Sequence, residues 1–315
     1  MQKGFQQLLG ILYSRFYEEQ SSFSEVTSSH WRKVGWHKVG RSEKKWSLKG
    51  GGFGDWMNDN LVNRLRTLGI QNAVASLRAK HGCPVDLWLL GVAVAKSQKR
   101  IFSHDCARQV LSLAKVVSSI SALDPKSPLT SVGIRNVCVI GDGYGYLGTL
   151  LKSFDPGVIV TSVNLGRGLL FDAYYTGLRF PDAIVDMQGP ASGADFIFLP
   201  AEDYSALMRM PQDLVFNIAS MQEMNPGVVQ NYLNYLRRPG GARVIFYCCN
   251  RAQKTLPDGQ VICFSDYGWD DEDTIVFDEP CPWYQTFPVG LIPKWLPFDG
   301  IVVHRLVHLK GTSSV

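Results

Sequence analysis

The sequence predicts an α/β protein: a doubly wound, mostly parallel sheet with an antiparallel C-terminal edge, preceded by a mainly helical N-terminal region. Three observations predict it. From Val132 onward, short β-branched runs alternate with helical segments, the rhythm of a parallel sheet with crossover helices. A glycine-rich turn, residues 141–148, joins the first of these runs to the first helix. In the tail, strand-like runs follow one another without long helices between them, which implies an antiparallel edge.

In the N-terminal third, residues 4–19, 60–80 and 105–120 are expected to be helical. Leu61, Leu65, Leu68 and Ile70 fall near one face of the second helix, and Val110, Leu113, Ala114 and Val117 form a stripe on the third. Residues 21–54, rich in Ser, Gly, Lys, Arg and Trp, have no clean period and are expected to be loop. A linker is expected over 121–131, where Pro125 and Pro128 fall. The division is then a helical, substrate-lid region over 1–125 and a Rossmann-like domain over 126–315. Strands are expected at Val137–Ile140, Val158–Val163, Phe196–Leu199, Leu214–Ile218 and Arg243–Cys248. Helices are expected at Tyr146–Phe154, Leu169–Thr176 and Val228–Leu236. The tail strands are Val261–Phe264, Thr274–Phe277 and Ile301–His308.

Composition bounds the function classes. Hydrophobic residues make up 45% and charged residues 19% of the 315, a globular balance that argues against disorder. A net charge of +4 is too mild to imply nucleic-acid binding by itself. The longest apolar stretch, Val85 to Ala95, contains Asp86 and is far short of the about 20 residues a membrane span needs. The N-terminus has no long apolar run followed by a small-residue cleavage site, so a cytoplasmic chain is expected. Seven cysteines with no CxxC pair imply buried free thiols in a reducing compartment, and no metal cluster.

The sharpest motif runs from Val137 to Gly148: an apolar strand, glycines at alternate positions, then a helix. Bare glycines let the chain turn tightly and bring backbone N–H groups close to a ligand. The helix start adds a positive dipole end. Gly143-x-Gly145-x-x-Gly148 fits the dinucleotide fingerprint, with a pyrophosphate at the helix N-terminus. Gly141-x-Gly143-x-Gly145 fits the turn of class I methyltransferases, which cradles the amino-acid part of S-adenosylmethionine. The second strand ends at Asn164, where either cofactor class usually has an acidic residue for the ribose hydroxyls.

A second segment, Asp213 to Met224, places N-x-x-S-x-x-E-M after an apolar strand and before a helix carrying Tyr232. It resembles the segment after the fourth strand in the sugar O-methyltransferases of bacterial surface-polysaccharide and natural-product pathways. Tyr247-Cys248-Cys249-Asn250 looks like that family's strand end, and the tract through Asp266-Tyr267-Gly268-Trp269 and Pro282-Trp283-Tyr284 is similar to its tail. The resemblance covers residues 135–310; only Trp31 and the Gly50 to Phe53 turn extend it to the N-terminal third. It implies S-adenosylmethionine as cofactor and a sugar hydroxyl as acceptor. By that resemblance the turn and the helix start (Gly141, Asp142, Gly143, Gly145, Tyr146) would hold the methionine moiety. Asn164 and Leu165 would stand at the ribose, Ala201 and Glu202 at the adenine, and Asn217 beside the methionine or sulfonium end.

Methyl transfer from a sulfonium is an in-line displacement, so alignment of the acceptor oxygen is the main task. A neutral sugar hydroxyl also needs a base within hydrogen-bond reach. Glu223 is the first candidate, in the loop after the fourth strand, with a solvated helix-start carboxylate as the plainer alternative. His304 follows, with His308 on the same side of its strand; either fits a structural histidine equally. His30 and His37 lie in a segment that can reach over a site as a lid. The acidic tract Asp270 to Asp273 is a candidate for a magnesium ion that orients a diol, against the plainer alternative of a hydrated turn. Residues 30–49 carry seven Lys or Arg against one Glu, with Trp31, Trp36 and Trp46 interleaved. That pattern suits a phosphate-bearing sugar or RNA, or a solvated loop anchored by its tryptophans.

The leading expectation is therefore a sugar O-methyltransferase, the sugar being free, nucleotide-linked or glycan-linked. An RNA methyltransferase, a nicotinamide-dependent oxidoreductase and a non-catalytic cofactor-binding protein are the alternatives. Oligomeric state stays open, a homo-oligomer included.

Overall fold

A computed structural model describes residues 3–18, 26–33, 38–42, 45–49, 58–120, 127–187, 189, 193–237, 243–289, 292 and 294–311. Trp36, His37, the 50–53 turn and Pro125 lie outside the described residues.

The N-terminal third is helical, as the periodicity predicts. Its helices are α1 (Lys3–Tyr13), α2 (Ser29–Lys33), α3 (Leu61–Lys80), α4 (Val85–Ser97) and α5 (His104–Ile120). Within the expected loop the described residues form α2 and an antiparallel hairpin of β1 (Lys38–Ser42) and β2 (Lys45–Lys49). Asn60 starts α3 by accepting from the Asn63 backbone N–H at 2.9 Å, an N-cap that satisfies one orphan donor. The predicted face of α3 is not its buried one. Leu61, Leu65 and Leu68 are exposed, and the helix docks through Val74 and Leu77. Helical periodicity marks a stripe without saying what covers it. The α5 stripe of Val110, Leu113, Ala114 and Val117 is buried as predicted.

The sheet has eight strands in the order β11-β14-β8-β7-β3-β4-β6-β5. They are β3 (Asn136–Ile140), β4 (Ile159–Asn164), β5 (Val185–Asp186), β6 (Phe196–Pro200), β7 (Leu214–Ile218), β8 (Val244–Arg251), β11 (Thr274–Pro280) and β14 (Val302–Leu309). Pairs from β5 through β8 are parallel, and β14 and β11 add antiparallel. The crossover helices are α6 (Tyr146–Phe154), α7 (Gly166–Arg179) and α8 (Pro226–Leu236). The predicted tail strand at 261 is not part of this edge. Instead β10 (Val261–Cys263) pairs with β9 (Gln253–Thr255) in a separate hairpin, and β12 (Thr286–Val289) pairs with β13 (Lys294–Pro297) in another. From β3 the chain winds outward through β4 and β6, then returns to β7 on the other side. That reversal opens a crevice at the strands' carboxyl ends, where α/β sheets bind ligands.

One hydrophobic core joins the N-terminal helices to the sheet, with Phe5, Leu9 and Val110 in the same cluster as Tyr146, Leu150 and Phe198. Phe5 sits edge-on to Phe198 at 6.1 Å. The Tyr146 hydroxyl donates to the Gly91 carbonyl at 2.8 Å. The Gln98 amide donates to the Gly145 carbonyl at 3.1 Å, tying the end of α4 to the glycine turn. All seven cysteines are free thiols, six of them buried. No helix among the described residues is long and apolar enough to cross a membrane.

Candidate functional site

The glycine turn is built as its sequence requires. Gly141, Gly143 and Gly145 have φ of 77°, 79° and 64°, the left-handed region open to glycine at little cost. Asp142 turns its carboxylate onto the start of α6, accepting from the N–H of Leu147 at 2.9 Å and of Gly148 at 2.7 Å. The third glycine of the dinucleotide pattern, Gly148, thus packs against Asp142: a Cβ there would sit 3.1 Å from its Oδ2. Asp172, on α7, lies near Asp142 and accepts from the Asn164 amide at 3.1 Å. Asn164 in turn accepts from the Leu165 N–H at 2.9 Å.

Burial pushes the Asp142 carboxyl up to about 6, while its backbone N–H donors and the Arg100 charge pull it down. Burial, and then the Asp142 charge, push Asp172 well above the usual carboxylate range. The floor beneath the turn is therefore an acidic pair that resists carrying two full charges.

A cavity of about 590 Å³ opens over this floor. Gly141, Asp142, Gly143, Asn164, Leu165 and Ala201 line one part of it. Glu223, His30, Lys254 and Arg251 also line it. Trp31, Tyr284, Phe287 and Phe298 add aromatic rings to the lining, the last three in mutual contact through Phe298. The tail carrying three of these rings is pinned by Arg108 of α5. Its buried guanidinium donates to the carbonyls of Trp283 and Thr286 at 3.1 and 3.2 Å and stacks 4.2 Å from the Tyr284 ring centroid.

Five expected site residues stand off the cavity wall. Gly145 and Tyr146 belong to the turn but face the N-terminal helices. Glu202 accepts from the Gly166 N–H at 3.2 Å, at the start of α7. Asn217 is fully buried and fastens β7 to β3, donating to the Ile140 carbonyl at 2.9 Å and accepting from Asn250 at 2.8 Å. His304 is fully buried between Trp283, Phe277 and Tyr247, with its Nδ1 3.1 Å from the Tyr247 hydroxyl. Its place is structural, and His308 likewise lies off the wall. The acidic tract is a turn closed on itself: Asp273 pairs with the buried Arg237 guanidinium at 2.6 Å. No group of three or more His, Cys, Asp or Glu that could hold a metal ion exists among the described residues, so the magnesium expectation finds no support.

Burial lowers His304 to about 4, partly opposed by Glu279. It stays neutral in the fold but takes a proton near pH 6.5 when unfolded, so its stabilising contribution is present above 6.5 and lost on acidification. From pH 7 to pH 5 this group alone should remove about 2 kcal/mol of stability. Urea unfolding of the His304→Gln variant should lose that part of the pH slope; an unchanged slope would show that His304 is not its source.

The sequence missed Lys254, Arg251, His104 and Gln109 on the wall, because they come from elements far apart in the chain and share no local pattern. Tyr284 and Phe287 lay inside the tail tract noted above, but nothing there marked them as cavity wall. Trp46, offered as a stacking platform, turns inward instead. It is buried, its indole N–H donates to Gln6 at 2.9 Å, and its ring packs edge-on against Tyr13.

No family model matches the chain, and no curated protein matches it. Among solved structures, it is similar to the mitomycin 7-O-methyltransferase MmcR, with 13% identity over 79% of this chain and 67% of that one, at a TM-score of 0.35. A mutant of MtNAS in complex with S-adenosylmethionine shares 14% identity over 77% and 79%, at 0.37. Magnesium protoporphyrin IX methyltransferase from Synechocystis, with bound SAM, shares 10% over 64% and 81%, at 0.34.

Proposed function

We propose that the chain is an S-adenosylmethionine-dependent O-methyltransferase acting on a sugar hydroxyl, free, nucleotide-linked or glycan-linked, in bacterial surface-polysaccharide or natural-product biosynthesis. The carrying observation is the carboxylate of Asp142 on the first turn of α6. A dinucleotide would need those N–H donors for its pyrophosphate. Here they are taken by the Asp142 carboxylate, whose charge would repel a second anion. A donor with a cationic amino-acid end and a sulfonium suits the same floor by charge. Gly141, Asp142 and Gly143 would hold that end, Asn164 and Leu165 the ribose, and Ala201 the adenine. When bound, the donor supplies an activated methyl group; the chain's own residues orient both partners and exclude water.

The sugar acceptor is supported by the aromatic lining residues Trp31, Tyr284, Phe287 and Phe298, with polar Gln109, Asp105 and His104 in the same lining. Such rings stack on the apolar faces of sugars while neighbouring polar groups take hydroxyls. The RNA alternative loses one of its stacking platforms, since Trp46 is spent on the core. Calorimetric titration of the full chain tests the cofactor half of the reading. S-adenosylhomocysteine should bind with a Kd on the order of micromolar, and NAD should show no heat above buffer. Binding of NAD without S-adenosylhomocysteine would overturn it.

A further inference from the structure

Three cavity-lining side chains from three separate elements meet at one point. Glu223 follows β7, His30 sits on α2 and Lys254 on β9. Lys254 Nζ donates to Glu223 Oε1 at 2.6 Å. The other oxygen, Oε2, is 3.4 Å from His30 Nε2. Each carboxylate oxygen thus has its own cationic or N–H neighbour. The Ser28 hydroxyl also donates to the Glu223 backbone carbonyl, which holds the start of α2 against this loop. Trp31 stands edge-on to the imidazole at 5.2 Å and limits its swing.

Both Glu223 carboxylate oxygens are already engaged, one by Lys254 and one facing His30, which suits a positioning role better than that of the base. The Lys254 pairing holds the carboxylate 3.4 Å from His30 Nε2, a charge that favours the proton on that nitrogen. That tautomer leaves Nδ1 as the ring's lone-pair nitrogen. We propose that His30 is the base that receives the acceptor's proton, with Glu223 as the positioning residue that sets its tautomer and Lys254 as the cation that holds Glu223. The inference rests on the methyl-transfer reading above.

The step balances. The acceptor oxygen forms a bond to the donor's methyl carbon, and its proton passes to His30 Nδ1. The carbon–sulfur bond breaks with both electrons staying on sulfur, which goes from cation to neutral thioether. The imidazolium then returns its proton to water. Burial lowers the proton affinity of His30, while Glu223 raises it and Lys254 lowers it, so the ring is neutral and ready at pH 7. Carrying the base on α2 also ties chemistry to the position of that segment over the cavity.

A small methylating reagent tests this without a known acceptor. Full-length chain is treated with methyl 4-nitrobenzenesulfonate, and the modified histidine and ring nitrogen are read by peptide mass spectrometry and NMR. His30 Nδ1 should be methylated about tenfold faster than any other histidine, with a rate that rises with pH through the His30 titration. Glu223→Gln should move that midpoint down and Lys254→Met should move it up, opposite shifts that a merely structural role would not give. Absence of His30 labelling, labelling at Nε2, or a midpoint unmoved in both variants would overturn the proposal. Separate titration of the unmodified chain with S-adenosylhomocysteine reports on the cofactor, so failure of the donor reading is distinguished from failure of the base.

Discussion

Gly145→Ala should destabilise the protein by about 2–5 kcal/mol, from a left-handed non-glycine residue plus overpacking. The backbone there has φ of 64°. A Cβ would meet the Asp172 carbonyl oxygen at 2.6 Å and the Thr176 hydroxyl at 2.8 Å. The first of these is backbone of α7 and cannot swing aside. The Gly145 carbonyl is also the acceptor for Gln98, so any shift of the turn loosens its tie to α4. Urea unfolding followed by circular dichroism measures the loss. A variant within 0.5 kcal/mol of the parent, the range of an ordinary surface change, would mean that α6 and α7 are not packed as closely as described.

Asp142→Asn should weaken S-adenosylhomocysteine binding about ten- to a hundredfold, or about 1.4–2.8 kcal/mol, the range for a hydrogen bond to a charged group. The amide oxygen can still cap one N–H of α6, so the helix start survives while the negative charge is lost. The pH dependence follows from the raised carboxyl. With Asp142 titrating at about 6, the parent should hold its full affinity at pH 8 and lose much of it at pH 5 as the carboxylate takes a proton. The variant should show no such fall. Calorimetry at both values decides it: equal affinities for parent and variant at pH 8 would remove Asp142 from donor recognition.

Much of the sheet is legible because its signals are local. A β-branched run, three alternating glycines and an amphipathic helix lie within Val137 to Phe154, and the structure forms β3, the turn and α6 there. Helix α4 is not legible in the same way. Val85 to Ala95 is apolar nearly all round, so no stripe emerges, yet Leu87, Trp88, Val94 and Ala95 are buried against several neighbours. For α3 the opposite holds, since a clear apolar stripe faces outward at its N-terminal half. The site divides likewise. The turn side follows one continuous segment and can be read from it. The cluster of His30, Lys254 and Glu223 is assembled from α2, β9 and the loop after β7, and only folding brings the three together. Asn217 and His304 show the limit of residue type alone: each is polar and close to the crevice in sequence terms, and each is spent on holding strands together.

The buried cluster shared by the N-terminal helices and the sheet bears on how such a chain can change over generations. Phe5, Leu9 and Val110 lie in the same buried cluster as Tyr146, Leu150 and Phe198 of the sheet and its first crossover helix. An ancestor could not exchange those helices as an independent cassette without stripping part of the sheet of its cover. Change in the cavity would then come by point substitutions in its lining, with the scaffold inherited whole.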